Sequence, residues 1–219
     1  MWVEACRNHE NSKTPLALGN GSQELSNVRS FQRFGVYVID IMDYALSNND
    51  VEKIVGEPLK ITPSSELKDK KCIFELFYPE SDKALILFDS EKDEQRKTIT
   101  GHWCALLINE DGISFYDPYG HFIDDQLKYI PKSYRRASGQ FKNELTRLLY
   151  HSPFQQIHYN PYKHQNEEGS NTCGRHCALF LRMGEEPEKY NDALKDASKR
   201  MGLSTDKTAL ALTKPIIGM

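Results

Sequence analysis

The chain has 219 residues, enough for one ordinary domain with a core that needs no covalent staples. Hydrophobic residues at 39%, charged at 27% and aromatic at 11% describe a globular protein rather than a fibrous or disordered one, and no apolar run approaches the roughly 20 residues of a membrane-spanning helix. A formal net charge of −3 gives no global reason to expect nucleic-acid binding. The segment 1–28 is polar, carries Pro15, Gly19 and Gly21, and reads as a flexible tail or arm, with no secretory signal. From there 29–219 reads as one domain. Phe31, Phe34, Val38, Ile41, Met42 and Ala45 recur at helical spacing, and Asn49 is expected to cap a short helix that Gly56 and Pro58 end. Segments 73–78 and 84–88 read as short strands, followed by a charged surface loop over 89–97. Strands over 102–108 and 113–117 form a hairpin around Asn109–Gly112, with Asp-Gly turn chemistry.

Further on, Lys128, Lys132, Arg135 and Arg136 lie beside Tyr129 and Tyr134; this reads as a solvated basic face, and a nucleic-acid role for it is left open. Phe141, Leu145, Leu148 and Leu149 mark a helix over 140–150 that Pro153 stops, and 155–159 reads as a strand. After a polar loop to Asn171, helices are expected over 173–183, 190–201 and 205–212. The fold class is α+β, a central mixed sheet flanked by helices.

Five cysteines at irregular spacing argue against a disulfide framework and for a reducing compartment, and leave thiol chemistry open. A thiol becomes nucleophilic when an imidazolium or a helix N-terminus lowers its pKa. Cys173 stands where a polar loop meets an apolar helix, so it has the second device, and Gly174 after it would let a substrate carbonyl approach the backbone. Cys177 lies one turn on, on the apolar face, and reads as core; Cys104 reads as packing beneath the site. Of seven histidines, His102 is best placed as base, because the hairpin's open end would bring it to Asp117. Asp117 is also the first residue of an Asp-Pro-Tyr-Gly turn, and both roles can hold at once. Cys173, His176, Cys177, His164, His102 and Cys104 include zinc-ligating types, but the spacing lacks the paired Cys-x2-Cys knuckles of a zinc site, and no metal is expected.

Gly-His-Trp-Cys-Ala-Leu-Leu-Ile (101–108), Ile-Ser-Phe-Tyr-Asp-Pro-Tyr-Gly (113–120) and Asn-Thr-Cys-Gly-Arg-His-Cys-Ala-Leu-Phe-Leu (171–181) together resemble the adenain and SUMO-protease superfamily of cysteine proteases. The resemblance implies a papain-like, adenain-like fold, with Cys173 as nucleophile, His102 as general base, Asp117 as its partner and Gln165 as the oxyanion-hole donor. Gln165 stands eight residues before Cys173, slightly farther than the pattern has it, and Asn166 and Asn171 are alternative donors. Trp103 by similarity packs near the nucleophile's helix. Within the superfamily the blocks are most similar to the viral maturation proteases of double-stranded DNA viruses and virophages. That implies an endopeptidase cutting capsid precursors, monomeric, in the host cytoplasm, viral factory or virion. The alternative is an isopeptidase that removes ubiquitin-like proteins; an inactive binding module is disfavoured by the intact set. No cofactor is expected, although the adenoviral enzyme uses DNA and a peptide. Leu16 to Gly21 reads first as a plain linker; because viral members cut at glycine-containing sites, self-trimming near Gly19 to Gly21 is the alternative.

Overall fold

The computed structural model describes residues 45–95, 98–166 and 170–219. The N-terminal tail, the self-trimming site and the helix expected from Phe31 lie outside the described residues, except for that helix's expected end at 45–47, which is not helical. Helix α1 (Asn48–Val55) opens at Ser47, whose hydroxyl accepts from the Asp50 N–H while the Asp50 carboxylate accepts from the Ser47 N–H at 3.0 Å. This reciprocal box satisfies two orphan donors at once. It therefore moves the cap from the expected Asn49 to Ser47.

Five strands form one mixed sheet in chain order: β1 (Lys60–Pro63), β2 (Lys83–Asp93), β3 (Thr98–Ile108), β4 (Ile113–Tyr116) and β5 (Ile157–Tyr159). The two inner pairings, β2–β3 and β3–β4, are antiparallel, and the two outer ones are parallel. Alternation along the strands builds two cores. Leu85, Ala105, Leu107 and Tyr116 face α4 (Cys173–Met183), with α1 and α5 (Pro187–Met201) completing that side. Ile86, Phe88, Cys104, Leu106 and Phe115 face the other way, where Leu145, Leu148 and Leu149 of α3 (Glu144–Tyr150) cover them. Helix α6 (Thr205–Ile217) packs against α4 and α5. No helix among the described residues is long and apolar enough to cross a membrane.

Three expectations change. The segment 73–78 is a 3-10 turn, Ile73–Leu76, because burying Ile73 and Leu76 three residues apart on one side suits a three-residue period. The charged run 89–97 is no loop in its first half, since β2 runs on to Asp93 and pairs with Thr98, past a bulge between Asp89 and Glu91. A ribbon wet on its outer part tolerates Glu91 and Lys92 in regular strand. The helix expected over 140–150 begins only at Glu144, leaving Phe141 exposed and Gln140 buried on Asp89. The basic segment forms a short helix, α2 (Lys132–Ser138), with no buried residue, so it is a solvated face.

Cys104, Cys173 and Cys177 are free thiols, whereas Cys72 is disulfide-bonded. Five cysteines could close two bridges, so with three thiols free the chain has no disulfide framework, although Cys72 is bridged.

Candidate active site

The β3–β4 hairpin sets the geometry. Asn109 accepts nothing unusual at its turn: its N–H donates to the Gly112 carbonyl, and its side-chain oxygen receives the Gly112 N–H, both at 3.0 Å. Glycine is needed at 112 because a Cβ there would stand 2.2 Å from the Gln156 carbonyl oxygen, where β5 enters. From this turn the register pairs Ala105 with Tyr116. Continued by one step, it sets Cys104 opposite Asp117, and by three steps His102 opposite Tyr119. His102 and Cys104 share a face of β3. The atoms follow: His102 Nε2 lies 2.8 Å from Asp117 Oδ1, and the imidazole stacks on the Tyr119 ring at 4.6 Å between centroids.

Asp117 is fully buried and closes a turn as well, accepting the Tyr119 N–H on Oδ1 at 2.8 Å while its carbonyl accepts the Gly120 N–H. Its second oxygen accepts from Gln126 Nε2 at 2.7 Å. The contact with His102 and the turn thus coexist in one residue. With Nε2 turned to Asp117, the other ring nitrogen of His102 is left for the Cys173 sulfur, to which the ring is hydrogen-bonded. Burial alone would push the imidazole down; the hydrogen bonds and charges of Asp117 and Cys173 raise it instead to about 9. Burial likewise pushes the Cys173 thiol up, but the hydrogen bond and charge of His102, with the N–H groups of Trp103 and Gly174, bring it below its ordinary value. Two opposed shifts on hydrogen-bonded partners favour a thiolate–imidazolium pair.

Cys173 is the first residue of α4 and lines a cleft of ≈ 540 Å³. Phe88, Ser90 and Gly101 reach the cleft from the β2–β3 ribbon, Tyr119, His121 and Tyr129 from the segment after β4, and Lys163, Gln165 and Asn171 from the loop before α4. Gln165 is therefore in the cleft, but its amide donates to the Ser170 carbonyl at 2.6 Å and its own Oε1 is buried without a partner. Asn166 is turned away, donating to the carbonyls of Lys163 and His164. Gly174 differs from expectation. A Cβ on it would meet only Leu46, at 3.6 Å, so its bare side points toward the α1 end rather than into the cleft, and its contribution is the N–H on the sulfur.

Cys104 and Cys177 are buried thiols that burial pushes well above their ordinary range, and Cys177 Sγ donates to the Trp103 carbonyl at 3.2 Å. Trp103 packs against the core that α4 helps form. His102, Cys104 and Asp117 are the side chains among the described residues whose ligand atoms converge, within 4.8 Å of one another. Their chemistry is already assigned by hydrogen bonds: two of the three atoms bond each other, and burial keeps the third a protonated thiol, a poor metal ligand. The sequence does not single out Tyr119, His121 or Gln126 as site residues. The hairpin register was the signal that could have found Tyr119; nothing local marks Gln126.

No protein-family model matches the chain. It is similar to the uncharacterized protein V9 of Sputnik virophage, with 34% identity over 139 residues, a stretch that covers 63% of this chain and 75% of that protein.

Proposed function

The chain belongs to the family of the Sputnik virophage protein V9, and from that viral kinship together with the cleft we propose that it is a cysteine endopeptidase of adenain-like fold that cleaves viral structural precursors. The observation that carries this reading is the hydrogen-bonded series Cys173, His102, Asp117, with the thiol lowered and the imidazole raised. In the proposed reaction the Cys173 thiolate attacks the scissile carbonyl, and the carbonyl's electron pair moves onto oxygen beside the N–H groups at the start of α4. Collapse breaks the C–N bond while His102 gives its proton to the leaving amine, forming a thioester. Water, losing a proton to His102, then attacks the thioester and frees Cys173 with a carboxylic acid product. Asp117 orients the ring and stabilises its charge throughout without taking the proton. Gln165 joins the oxyanion site if substrate draws its amide from Ser170. The protease acts alone, in the host cytoplasm, viral factory or particle.

The test is incubation of the purified protein with candidate capsid precursors and, in parallel, with ubiquitin-like fusions, followed by sequencing of the new termini. Defined cuts in the precursors by the wild type, and none by Cys173→Ala, are expected; cuts confined to the ubiquitin-like fusions would transfer the substrate assignment to deconjugation. A thiol-directed reagent should label Cys173 ahead of Cys104 and Cys177, both buried. Preferential labelling of either of those would remove Cys173 as the nucleophile.

A further inference from the structure

Helix α4 begins at Cys173, and the residue before it, Thr172, occupies the N-cap position. A threonine there ordinarily accepts from the N–H of the second or third helical residue. Here those residues are Gly174 and Arg175, and Thr172 makes no such cap. Its hydroxyl instead donates to Asp206 Oδ1 in the first turn of α6. Asp206 is fully buried, and it reaches two more groups around the same loop: its Oδ2 accepts the Asn166 N–H at 2.8 Å, and Oδ1 lies 3.4 Å from His176 Nε2 on α4. The neighbouring Thr205 hydroxyl donates to the His164 carbonyl. The carboxylate thus holds Asn166, the neighbour of Gln165, and Thr172, the neighbour of Cys173. Its charge sits at the N-terminal end of α6, where a helix stabilises an anion.

We propose that Asp206 is a positioning residue for the Cys173 site: it holds Asn166, next to Gln165, and draws the Thr172 hydroxyl off the first turn of α4, leaving the first-turn N–H groups to the sulfur. Thr172 makes no side-chain cap, so its hydroxyl claims none of the first-turn N–H groups of α4. Without the carboxylate, the Thr172 hydroxyl is free to turn back and cap its own helix, competing with the thiolate for the same donors. The turnover part of this inference rests on the cysteine-protease reading; the thiol part does not, because alkylation of Cys173 needs no substrate.

The experiment measures the rate of Cys173 alkylation by iodoacetamide against pH, peptide hydrolysis, and thermal melting, in the full chain and in Asp206→Asn, Thr172→Val and Thr172→Ser. Asp206→Asn keeps the shape and one acceptor, so a roughly five- to tenfold loss of kcat, the size of a single hydrogen bond, is expected with KM within about twofold. The alkylation midpoint should move to higher pH. Thr172→Ser keeps the hydroxyl and should match the wild type in kcat; Thr172→Val loses the tie to Asp206 but also the competing oxygen, so its kcat should fall while its alkylation midpoint stays near that of the wild type. Should Asp206→Asn fail to fold, the serine and valine pair decides alone. A lowered melting temperature with unchanged midpoint and kcat, or equal kcat in the serine and valine variants, overturns the proposal. Wild-type protein that alkylates selectively at Cys173 yet cuts no peptide would overturn the protease reading; the midpoint shift then decides the positioning role by itself.

Discussion

Two buried histidines in this molecule are driven in opposite directions. His102, in the cleft, is raised to about 9, while His164, in the interior between β4 and α5, is lowered to about 4. Burial acts on both with the same sign, disfavouring the charged ring. The difference lies in the neighbours. His102 has a buried carboxylate at 2.8 Å on one nitrogen and an acidic thiol on the other. His164 has the neutral oxygens of Tyr116 at 2.8 Å and Asn191 at 3.2 Å, with His176 stacked 6.0 Å away and the charge of Lys195 adding to the opposition. One site is built to hold a proton at neutral pH and the other to refuse it. Only the first can return a proton to a leaving amine.

Removing the imidazole of His102 is the severest way to break the contrast. His102→Ala should lower kcat/KM by roughly 10²–10⁴, the usual range for a general acid–base group, and slow alkylation of Cys173 at neutral pH. Asp117→Asn should cost less, roughly ten- to a hundredfold, about the worth of one charge-assisted hydrogen bond. The asparagine also turns a donor toward Gln126 Nε2, now 2.7 Å from the carboxylate, so part of its effect is local repacking. Steady-state kinetics on both variants check the ranking. An Asp117→Asn protein as active as the wild type would remove Asp117 from the mechanism.

A milder test moves the proton rather than the residue. The thiolate–imidazolium pair exists between the lowered thiol value and the raised imidazole value, so activity should climb through the first and fall again near pH 9 as His102 deprotonates. Asp117→Asn removes a cause of the raised value, so its alkaline limb should move toward neutral pH by about one unit or more. A kcat/KM profile from pH 5 to 10 reads both limbs. An alkaline limb that stays put in Asp117→Asn would mean that the carboxylate does not govern the ring.

The sequence exposed the cleft half of this contrast and hid the interior half. The hairpin could be read because alternation over β3 and β4 and the Asn109 to Gly112 turn define a register, which sets Asp117 opposite Cys104, two residues from His102 on the same face of β3. The start of α4 at Cys173 could be read because a polar loop gives way there to apolar residues at helical spacing. Asp206 stands 34 residues beyond Thr172, at the start of another helix, and nothing local tells such a carboxylate from an ordinary first-turn acid. His164 was equally opaque: its low proton affinity comes from packing against Tyr116 and Tyr190, on elements far apart in the chain. The run 89–97 misled for a different reason. Charge density marks solvent, and a solvated strand in a two-stranded ribbon has that mark as surely as a loop does.

The smallest expected effect concerns the interior histidine and is a slope of stability with pH. His164 has a folded value near 4 against about 6.5 in the unfolded chain, so the unfolded state binds its proton first as pH falls. Its contribution to stability is complete above about pH 6.5 and is lost as the solution is acidified toward 4. His102 runs the other way: with a folded value of about 9, its contribution is complete below the unfolded value and is lost as pH rises through 9. The lowered Cys173 thiol beside it has the opposite sign, gaining stability as pH rises, so the alkaline side sums two opposed contributions and the acid side is where His164 is read alone. His164→Gln leaves a side chain that can still accept from Tyr116 but cannot take up a proton. It should lower stability at pH 7 through imperfect packing, by about 1–2 kcal/mol. Between pH 7 and 5, above the range in which most carboxylates titrate, it should also lose about 1–2 kcal/mol less than the wild type does. Urea denaturation of both proteins at the two pH values measures the difference of slopes. Any alkaline change belongs to the His102–Cys173 pair and should be the same in both proteins. A His164→Gln protein that loses as much as the wild type between pH 7 and 5 would show that the interior ring already carries its proton, and the two histidines would no longer be opposites.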